Sequence, residues 1–395
     1  MPIDVLIAGG GPAALEAVLR LRRLAEDRVS LTLLSPTTAF TYRPLSVLEP
    51  FSTGSAWSYP LARIAADHDV TLRTTSLLRV DPDAHEVELS TGAIVRYDAL
   101  LVATGAVARA PFAGVTLFSG SAADAERVHG LVQDVEAGYV RSVAFVVPGG
   151  GSWPLPTYEL ALMLAERAFQ MGVDVDLHLI TPEPAPLAVF GEQAADEVRR
   201  LLGLAGVALH TGVTVEGVDR GRVQLNGDWD TLTVERVVSL PVLSGPRIPG
   251  LPADEDGFLA CDPHGRVAGV VDVYAAGDVT DFPVKQGGLA CAQADAVAEH
   301  LAARAGVALE PQPFHPVIHG LLLTDRWARF LRRDTVSDED AVAGRALWWP
   351  PTKIAGRELA GYLAQLDGEL GHARDGLRVE SRRLLDASDD GSVRV

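Results

Sequence analysis

The chain has 395 residues, 48% of them hydrophobic, which is enough to form the cores of two or three domains. Its 34 basic and 52 acidic residues give a net charge of −18, so nucleic acid and anionic membrane surfaces are unfavourable partners, because both would repel the chain. The two cysteines, Cys261 and Cys291, form no Cys-x-x-Cys motif, and the sequence therefore indicates neither a disulfide framework nor a metal site.

The chain begins with a pattern typical of a strand, a tight glycine turn and a helix. The apolar run 5–8 has no charged leader in front of it and directly enters the turn 9–14, Gly-Gly-Gly-Pro-Ala-Ala. Gly9 permits a sharp turn, Gly11 leaves room for a pyrophosphate, and Ala14 is small enough for the helix to pack on the strand. Because the N–H groups at the start of such a helix bind phosphate, we expect a dinucleotide here, with an ordinary glycine-rich turn as the alternative.

Two features after the first helix lie where nucleotide-binding folds contact their ligand. The second predicted strand, Val29–Ser35, ends in a serine, where such folds usually place an acidic residue for the adenosine ribose. Ser35 can still donate and accept a hydrogen bond, so we retain it as a candidate for that contact. Arg43 and Pro44 lie in the next loop, and Arg43 is either a ligand contact or a solvated surface charge.

The remaining chain repeats the strand–turn–helix pattern and then adds a C-terminal segment. An apolar strand ends at Ala103-Thr104-Gly105, a second glycine turn lies at 149–151, and a short strand at 271–276 ends in Gly277-Asp278. Helices are predicted at 122–135, 157–168, 288–304 and 356–366, and further strands at 143–147, 175–180 and near Phe314. The polar tail 386–395 is predicted to be disordered.

This order of elements predicts an α/β protein with two Rossmann-like dinucleotide-binding domains and a C-terminal α+β segment. We expect the first domain to be discontinuous and to comprise residues 1–110 and 253–313. The second domain is expected at 111–252, and the C-terminal segment at 314–395.

Three motifs occur in the order seen in flavoproteins with two dinucleotide domains: Gly9–Ala14, Tyr97–Gly105 and Tyr274–Asp278. Together with the run 284–288, Val-Lys-Gln-Gly-Gly, they narrow the resemblance to one branch of these flavoproteins. Residues 1 to about 365 resemble the branch of the pyridine nucleotide-disulfide oxidoreductase-like flavoproteins that holds type II NADH dehydrogenases, sulfide:quinone oxidoreductases and flavocytochrome c sulfide dehydrogenases. The resemblance implies a redox enzyme with noncovalent FAD, bound by the first domain.

The resemblance also implies which residues contact FAD. Asp278 would hydrogen-bond the ribityl chain, with a helix cap or turn aspartate as the alternative. The helix that starts near Gly288 would direct its positive N-terminus at the flavin pyrimidine edge, where Lys285 would also stabilise negative charge. The predicted FAD contacts are Gly9, Gly11, Pro12, Ala13, Ala14, Ser35, Arg43, Pro44, Ala103, Thr104, Gly105, Gly277, Asp278, Lys285, Gln286, Gly287 and Leu289.

The second glycine turn departs from the NAD(P)H-binding members of this branch. Gly151 is followed by Ser-Trp-Pro-Leu-Pro, and a proline has no N–H to offer a phosphate, while Trp153 adds bulk. Thr181 ends the next strand, where an acidic ribose ligand is usual. We therefore expect the second domain to bind NAD(P)H poorly, as in the sulfide-oxidising members.

The cysteines depart from the sulfide-oxidising members in turn. Those proteins use cysteines beside the flavin, one of them in this same turn, close to where Trp153 stands here. Cys261 and Cys291 are far from that stretch in the sequence. The sequence therefore predicts that the flavin works without a dithiol relay.

Trp153, Lys285, Trp349 and Lys353 are the predicted catalytic residues. Trp153 is expected to line an apolar pocket on the flavin face. Lys285 and Lys353 are the only lysines of the chain, and both lie in motif-like segments, which suggests a required ammonium group. In the resembling branch the C-terminal segment forms part of the wall of a quinone or substrate pocket. Trp348 and Trp349 could contribute to such a wall, because aromatic rings suit a planar apolar ligand. A hydrophobic plug or a dimer contact is an equally weighted alternative.

The sequence thus predicts an FAD-dependent oxidoreductase that passes two electrons from an unidentified donor to a quinone or another acceptor. An NAD(P)H dehydrogenase and a flavin-binding protein without turnover are the alternatives. The expected partner is a small redox molecule; a homodimer and a peripheral membrane contact are left open. No apolar run reaches the roughly 18 residues of a membrane span, so we expect a cytoplasmic protein.

Overall fold

The structure is a computed structural model that describes residues 2–226, 231–324 and 327–370. The tail predicted to be disordered, 386–395, lies outside these ranges. Within them the helices are α1 (Pro12–Ala25), α2 (Leu61–Asp67), α3 (Ala122–Glu136), α4 (Leu155–Met171), α5 (Glu192–Leu204), α6 (Gly287–Arg304) and α7 (Leu359–Leu370). Short 3₁₀ helices cover Glu26–Arg28, Arg43–Phe51 and Ala188–Phe190.

The strands are β1 (Ile3–Ala8), β2 (Val29–Ser35), β3 (Ala39–Thr41), β4 (Ser58–Pro60), β5 (Thr71–Thr74), β6 (Leu77–Asp81), β7 (Glu86–Leu89), β8 (Ile94–Arg96), β9 (Ala99–Val102), β10 (Val107–Arg109), β11 (Thr116–Leu117), β12 (Ser142–Val146), β13 (Asp176–Thr181), β14 (Val207–Thr211), β15 (Val215–Asp219), β16 (Arg222–Leu225), β17 (Leu232–Thr233), β18 (Arg236–Ser239), β19 (Val242–Ser244), β20 (Val273–Ala275), β21 (Val317–Leu323), β22 (Ala328–Asp334) and β23 (Asp340–Ala343).

The first sheet is parallel and has the strand order β20-β9-β1-β2-β5. Strands β1 and β9 are buried on both faces, which explains their continuous apolar sequence. Helices α1 and α6 pack against each other on one face, and the antiparallel sheet β6-β7-β8 covers the other. The carboxyl ends of β1, β9 and β20 meet at one edge, so the three turns that follow these strands lie together there.

The second sheet is also parallel, with the order β11-β18-β12-β13-β14. Helices α3, α4 and α5 pack against its strands, as expected for right-handed strand–helix–strand crossovers. The antiparallel pair β10-β19 carries the chain to and from this sheet. The α/β fold class with Rossmann-like sheets is confirmed, whereas the division of the chain into domains stays a prediction.

The C-terminal segment closes the cleft between the two parallel sheets. Its antiparallel sheet has the order β21-β22-β23, and β21 lies against both α4 and α6. The chain then returns along α1, where the buried Glu16 carboxylate accepts the N–H groups of Glu358 and Leu359. This contact fixes the start of α7 at Leu359, three residues later than the sequence predicted.

The other element predictions agree with the structure to within a few residues. The helices predicted at 122–135, 157–168 and 288–304 are present as α3, α4 and α6, and the strand predicted near Phe314 is β21. The helix α4 is longer at both ends than its prediction. No helix among the described residues is long and apolar enough to cross a membrane.

Candidate functional site

The first glycine turn has the geometry of a phosphate cradle. Gly9 has a φ of +137°, and a Cβ at this position would collide with the carbonyl oxygen of Ala103, so only glycine fits. Gly11 is the extended N-cap of α1 and makes no side-chain cap bond, while a Cβ added to it would meet open space. The first intrahelical bond runs from Leu15 N–H to Gly11, so the N–H groups before it point out of the helix N-terminus.

The Gly277-Asp278 turn packs directly against the start of α1. A Cβ on Gly277 would lie 3.3 Å from that of Ala13, and the Gly277 N–H donates to Gln293 Oε1 at 2.7 Å. These contacts fix the main chain that carries Asp278. Burial raises the pKa of Asp278, and the nearby Lys285 ammonium is the main group that opposes this rise.

A cavity of about 390 Å³ lies between the two parallel sheets and the C-terminal segment. The first sheet contributes Arg43, Pro44, Asp278, Lys285, Gln286 and Gly287 to its wall. The second sheet contributes Trp153 and Glu159, and the C-terminal segment contributes His319, Leu321, Lys353 and Ile354. The cavity therefore brings together eight of the sequence-predicted site residues from distant parts of the chain: Arg43, Pro44, Trp153, Asp278, Lys285, Gln286, Gly287 and Lys353.

The remaining turn residues predicted to contact FAD do not line this cavity. Gly9, Gly11, Pro12, Ala13 and Ala14 form the neighbouring turn at the start of α1. Ala103, Thr104, Gly105 and Gly277 follow the adjacent strands β9 and β20 at the same sheet edge. Their contacts with FAD stay predictions.

Three predicted site residues are placed differently from expectation. Ser35 is 1% exposed and its hydroxyl donates to the carbonyl of Thr37, so a local turn occupies it. The N–H of Leu289 donates to Gln286 Oε1 at 2.8 Å, because Gln286 caps α6 with its own side chain. Trp349 is 87% exposed and lies outside the cavity, and its catalytic role stays a prediction.

Lys285 is held beside Asp278 by contacts within its own loop. Its ammonium donates to the carbonyl of Thr280 and lies 3.8 Å above the centre of the Phe258 ring. Burial lowers the pKa of Lys285, and Asp278 and Asp281 oppose this effect. The position keeps a cation at the wall of the cavity, next to the proposed ribityl ligand.

An ion pair that the sequence did not reveal lies in the cavity wall. Lys353 Nζ donates to both carboxylate oxygens of Glu159, at 2.6 and 2.7 Å, and Glu159 also accepts the Leu323 N–H at 2.8 Å. The side chains of Lys353 and Glu159 are 5% and 0% exposed. The signal in the sequence was a glutamate next to the apolar run 160–165 of helix α4, where an unpaired buried charge would be costly.

The sequence assigned no role to His319 and left Trp348 as either a pocket wall or a hydrophobic plug or dimer contact. Burial and the neighbouring Arg332 lower the pKa of His319 to about 4, so its ring is neutral at neutral pH. The ring packs edge-on against Trp348, with 5.0 Å between the ring centres. Trp348 also packs on Phe330 and donates to the carbonyl of Thr352, so it fills the interior of the C-terminal segment.

The second glycine turn lacks the features of the first. Helix α4 begins with Pro154 as its N-cap, and the Thr157 N–H is already bonded to the Pro154 carbonyl. The acidic residue near the end of β13, Glu183, accepts hydrogen bonds from the hydroxyls of Tyr158 and Thr181. Burial raises the pKa of Glu183. The groups that would hold a pyrophosphate and a ribose are thus occupied within the protein.

Comparison with known proteins identifies the family. The sequence profile of the pyridine nucleotide-disulphide oxidoreductases matches residues 3–299. This chain belongs to that family. It is therefore a flavin-dependent oxidoreductase, and its cofactor is FAD.

Its sequence identity to individual relatives is at most 29% for the two described next. An NADH dehydrogenase-like protein of Mycobacterium tuberculosis is 29% identical over 293 residues, which are 70% of this chain and 72% of that protein. A sulfide-quinone reductase of Aquifex aeolicus is 26% identical over 63% of this chain, and the match spans 60% of that enzyme, less than two thirds. The solved structure of the Aquifex aeolicus sulfide:quinone oxidoreductase superposes with a TM-score of 0.78 at 19% identity, covering 97% of this chain and 92% of that chain.

The residues of the first sheet fit FAD. The open position at Gly11, the outward N–H groups of α1 and the Asp278 carboxylate suit a pyrophosphate and a polyol chain. We therefore propose that Gly9, Gly11 and Asp278 form the cradle that binds FAD. The described residues include no group of three or more histidine, cysteine or acidic side chains placed to hold a metal ion.

The cysteines lie away from the cavity. Cys291 is fully buried in α6, and burial raises its pKa well above the usual value; burial also raises the pKa of Cys261 to about 12. A thiol with a raised pKa is a poor nucleophile at neutral pH because the thiolate is scarce. Neither residue lines the cavity that holds Asp278 and Lys353.

We predict that the double variant Cys261→Ser, Cys291→Ala reduces its flavin at the wild-type rate. Alanine suits position 291 because that site is fully buried and a smaller side chain creates no clash there. The measurement is anaerobic flavin reduction by the physiological donor, with FAD content and circular dichroism as controls. A folded, FAD-loaded variant that reduces slowly would reveal a thiol step.

Proposed function

We propose that this flavoenzyme transfers two electrons from its flavin to a quinone-class acceptor bound in the part of the cavity that Trp153, Leu321 and Lys353 line, next to the residues predicted to contact FAD. We further propose that its donor reaches the flavin without an NAD(P)H site in the second sheet and without a dithiol relay. The observation that carries the proposal is the cavity itself, which joins apolar walls to a buried ion pair beside the FAD residues. When bound, FAD supplies the two-electron chemistry.

The walls of the cavity suit a planar apolar ring. Phe118, Trp153, Leu240, Leu321 and Ile354 all contribute to them. Aromatic and branched aliphatic side chains bury such a ring at a gain of roughly 25 cal/mol per Å² of apolar surface. Trp153 is held edge-on against Phe190, with 5.5 Å between ring centres, so its orientation is fixed.

The ion pair in the wall supplies one of the two protons that the acceptor takes up; water supplies the second and then returns a proton to Lys353. A quinone that gains two electrons also takes up two protons to become a hydroquinone. The Lys353 ammonium carries a proton at Nζ, and Glu159 holds that group in place through both of its carboxylate oxygens. In a wall that excludes water, a fixed ammonium stabilises negative charge on an acceptor oxygen and can donate to it.

The named relatives support a quinone as the acceptor, since one of them is a sulfide-quinone reductase. Its other substrate, sulfide, is not carried over here, because neither Cys261 nor Cys291 lines the cavity. The mycobacterial relative is described as NADH dehydrogenase-like, which makes NADH the rival donor.

We predict that NADH and NADPH reduce the flavin slowly and without saturation at micromolar concentrations. The reason is the occupied second turn, where Pro154 and Pro156 provide no N–H groups and Glu183 is bonded to Tyr158. Stopped-flow absorbance at about 450 nm, the wavelength of oxidised flavins in general, measures this directly under anaerobic conditions.

A second mixing step tests the acceptor. After photoreduction, a short-chain ubiquinone or menaquinone should reoxidise the flavin rapidly and with saturation. Trp153→Ala should raise the quinone concentration needed for half-saturation while FAD content stays the same. Rapid, saturable bleaching by micromolar NADH would instead make the enzyme an NADH dehydrogenase, and failure of every quinone to reoxidise the flavin would remove the acceptor assignment.

A further inference from the structure

The hairpin that joins β21 to β22 determines which way the main chain of β21 faces. The Thr324 N–H donates to the carbonyl of Trp327, so these two residues form a hydrogen-bonded pair of the antiparallel ladder. Bonded and non-bonded pairs alternate along such a ladder. The register pairs Leu321 with Phe330, an odd number of steps away from the Thr324 pair, so Leu321 is in a non-bonded pair. Its N–H and C=O therefore point away from β22, out of the edge of the sheet.

Two flanking contacts confirm this direction. The carbonyl of His319 accepts a hydrogen bond from Gln286 Nε2 at 3.1 Å, and the N–H of Leu323 donates to Glu159 Oε1 at 2.8 Å. Both partners line the cavity, and so does Leu321, which lies midway between them. The main-chain N–H and C=O of Leu321 thus face the cavity, on the stretch of strand edge between Gln286 and Glu159.

We propose that the Leu321 main-chain N–H donates a hydrogen bond to a carbonyl oxygen of the acceptor and so fixes its orientation in the cavity. The adjacent Leu321 C=O then accepts from the hydroxyl that the same oxygen becomes on reduction. This assignment rests on the proposed function, because it concerns the acceptor of that reaction. The strand edge is thereby a specificity element for a ligand that carries a carbonyl on a planar ring.

The energetics favour this use of the strand edge. A donor in an apolar cavity carries an uncompensated desolvation cost when it has no partner, so a ligand oxygen that accepts its hydrogen bond gains affinity. The donor is also preorganised, because Gln286 and Glu159 pin the strand on either side of it. Glu159 holds Lys353 near the Leu323 end of this strand edge. The Lys353 ammonium can therefore donate to the same acceptor oxygen as the Leu321 N–H.

The experiment removes this single donor and leaves the ladder intact. Proline lacks the N–H, and a strand tolerates it at an edge position whose N–H does not pair. Position 321 is suitable because Gly320 precedes it, and glycine best accepts the steric restriction that proline places on its neighbour. Leu321→Ala is the matched control, since it removes the same side chain but keeps the N–H.

We expect Leu321→Pro to raise KM for a short-chain ubiquinone about tenfold over Leu321→Ala, with equal FAD content and an equal rate of flavin photoreduction. Ferricyanide, which has no carbonyl oxygen, should reoxidise both variants equally well. Equal KM values for the two variants would overturn the assignment. FAD loss confined to a folded proline variant would also overturn it, by showing that the N–H serves the flavin.

Two further measurements distinguish the role of the Leu321 N–H from misfolding and from failure of the proposed function. If the proline variant does not fold, incorporation of the leucine hydroxy acid at position 321 replaces the N–H with an ester oxygen and keeps the side chain. The same rise in KM is expected, and its absence would refute the proposal. Wild-type enzyme that fails to reduce any quinone would refute the proposed function, whereas wild-type turnover with unchanged variants would refute only the role of Leu321.

Discussion

Replacing Asp278 with alanine should yield a protein that is purified largely without FAD. A charge-assisted hydrogen bond that a carboxylate accepts from a ligand hydroxyl contributes about 1.5–3 kcal/mol, and its loss corresponds to FAD binding weakened roughly 10- to 100-fold. The main chain that carries this carboxylate is fixed, because Gln293 holds the N–H of Gly277 and Ala13 packs against the same turn. The measurement is the ratio of flavin to protein absorbance, followed by titration of the apoprotein with FAD.

Asp281→Ala is the matched control for this prediction. Asp281 lies three residues further on, is exposed, and lies outside the cavity, although its charge also acts on Lys285. It should therefore retain FAD. Asp278→Asn should lose less FAD than Asp278→Ala, since an amide still bonds to a hydroxyl. If Asp278→Ala retains a full complement of FAD at wild-type affinity, Asp278 is a turn residue and not a cofactor ligand.

The fold was predictable because its signals are local. The strand–glycine–helix pattern at Gly9 and the Gly277-Asp278 turn each specify a tight turn at the end of a buried strand. Parallel strands then bring these turns to one edge without further information. Residues next to such turns, including Lys285 and Gln286, accordingly appear in the cavity wall.

The polar contacts of the site were less predictable because they depend on packing between distant segments. Lys353 and Glu159 are 194 residues apart and meet only because the C-terminal segment folds over α4. The bond from the Ser35 hydroxyl to the carbonyl of Thr37 was likewise not predicted from the strand pattern, and the contact of Ser35 with the ribose stays a prediction. The direction of the Leu321 N–H could not be predicted from the residue types, because it follows from the register of the β21–β22 hairpin.

The surroundings of Trp153 show why poor nucleotide binding by the second turn could be predicted from the sequence, whereas the identity of the acceptor could not. The prolines around it predict poor phosphate binding by a property of the residue itself, the missing N–H. What replaces the nucleotide is set by the walls that Phe190, Leu321 and Ile354 build around Trp153, and these come from three separate regions.

Replacing Lys353 with methionine should cause the second large effect, on stability as well as turnover. The change leaves the fully buried Glu159 carboxylate without its ammonium partner, and breaking a buried ion pair costs about 3–5 kcal/mol. Methionine keeps most of the volume of the side chain, so the loss reports the charge and not a cavity. The free energy of unfolding, measured with urea on the FAD-loaded protein, gives this cost.

The double variant Lys353→Met, Glu159→Gln separates the structural role of the pair from its role with the acceptor. Glutamine is neutral and its amide oxygen can still accept the Leu323 N–H, so we expect the double variant to recover most of the lost stability. Quinone reduction should nevertheless stay at least tenfold below wild type, because the ammonium that stabilises and protonates the acceptor oxygen is still missing. Reduction of the one-electron acceptor ferricyanide, which takes up no proton, should return to the wild-type rate. If quinone turnover recovers together with stability, the pair only holds the C-terminal segment on α4, and the proton must reach the acceptor from another group.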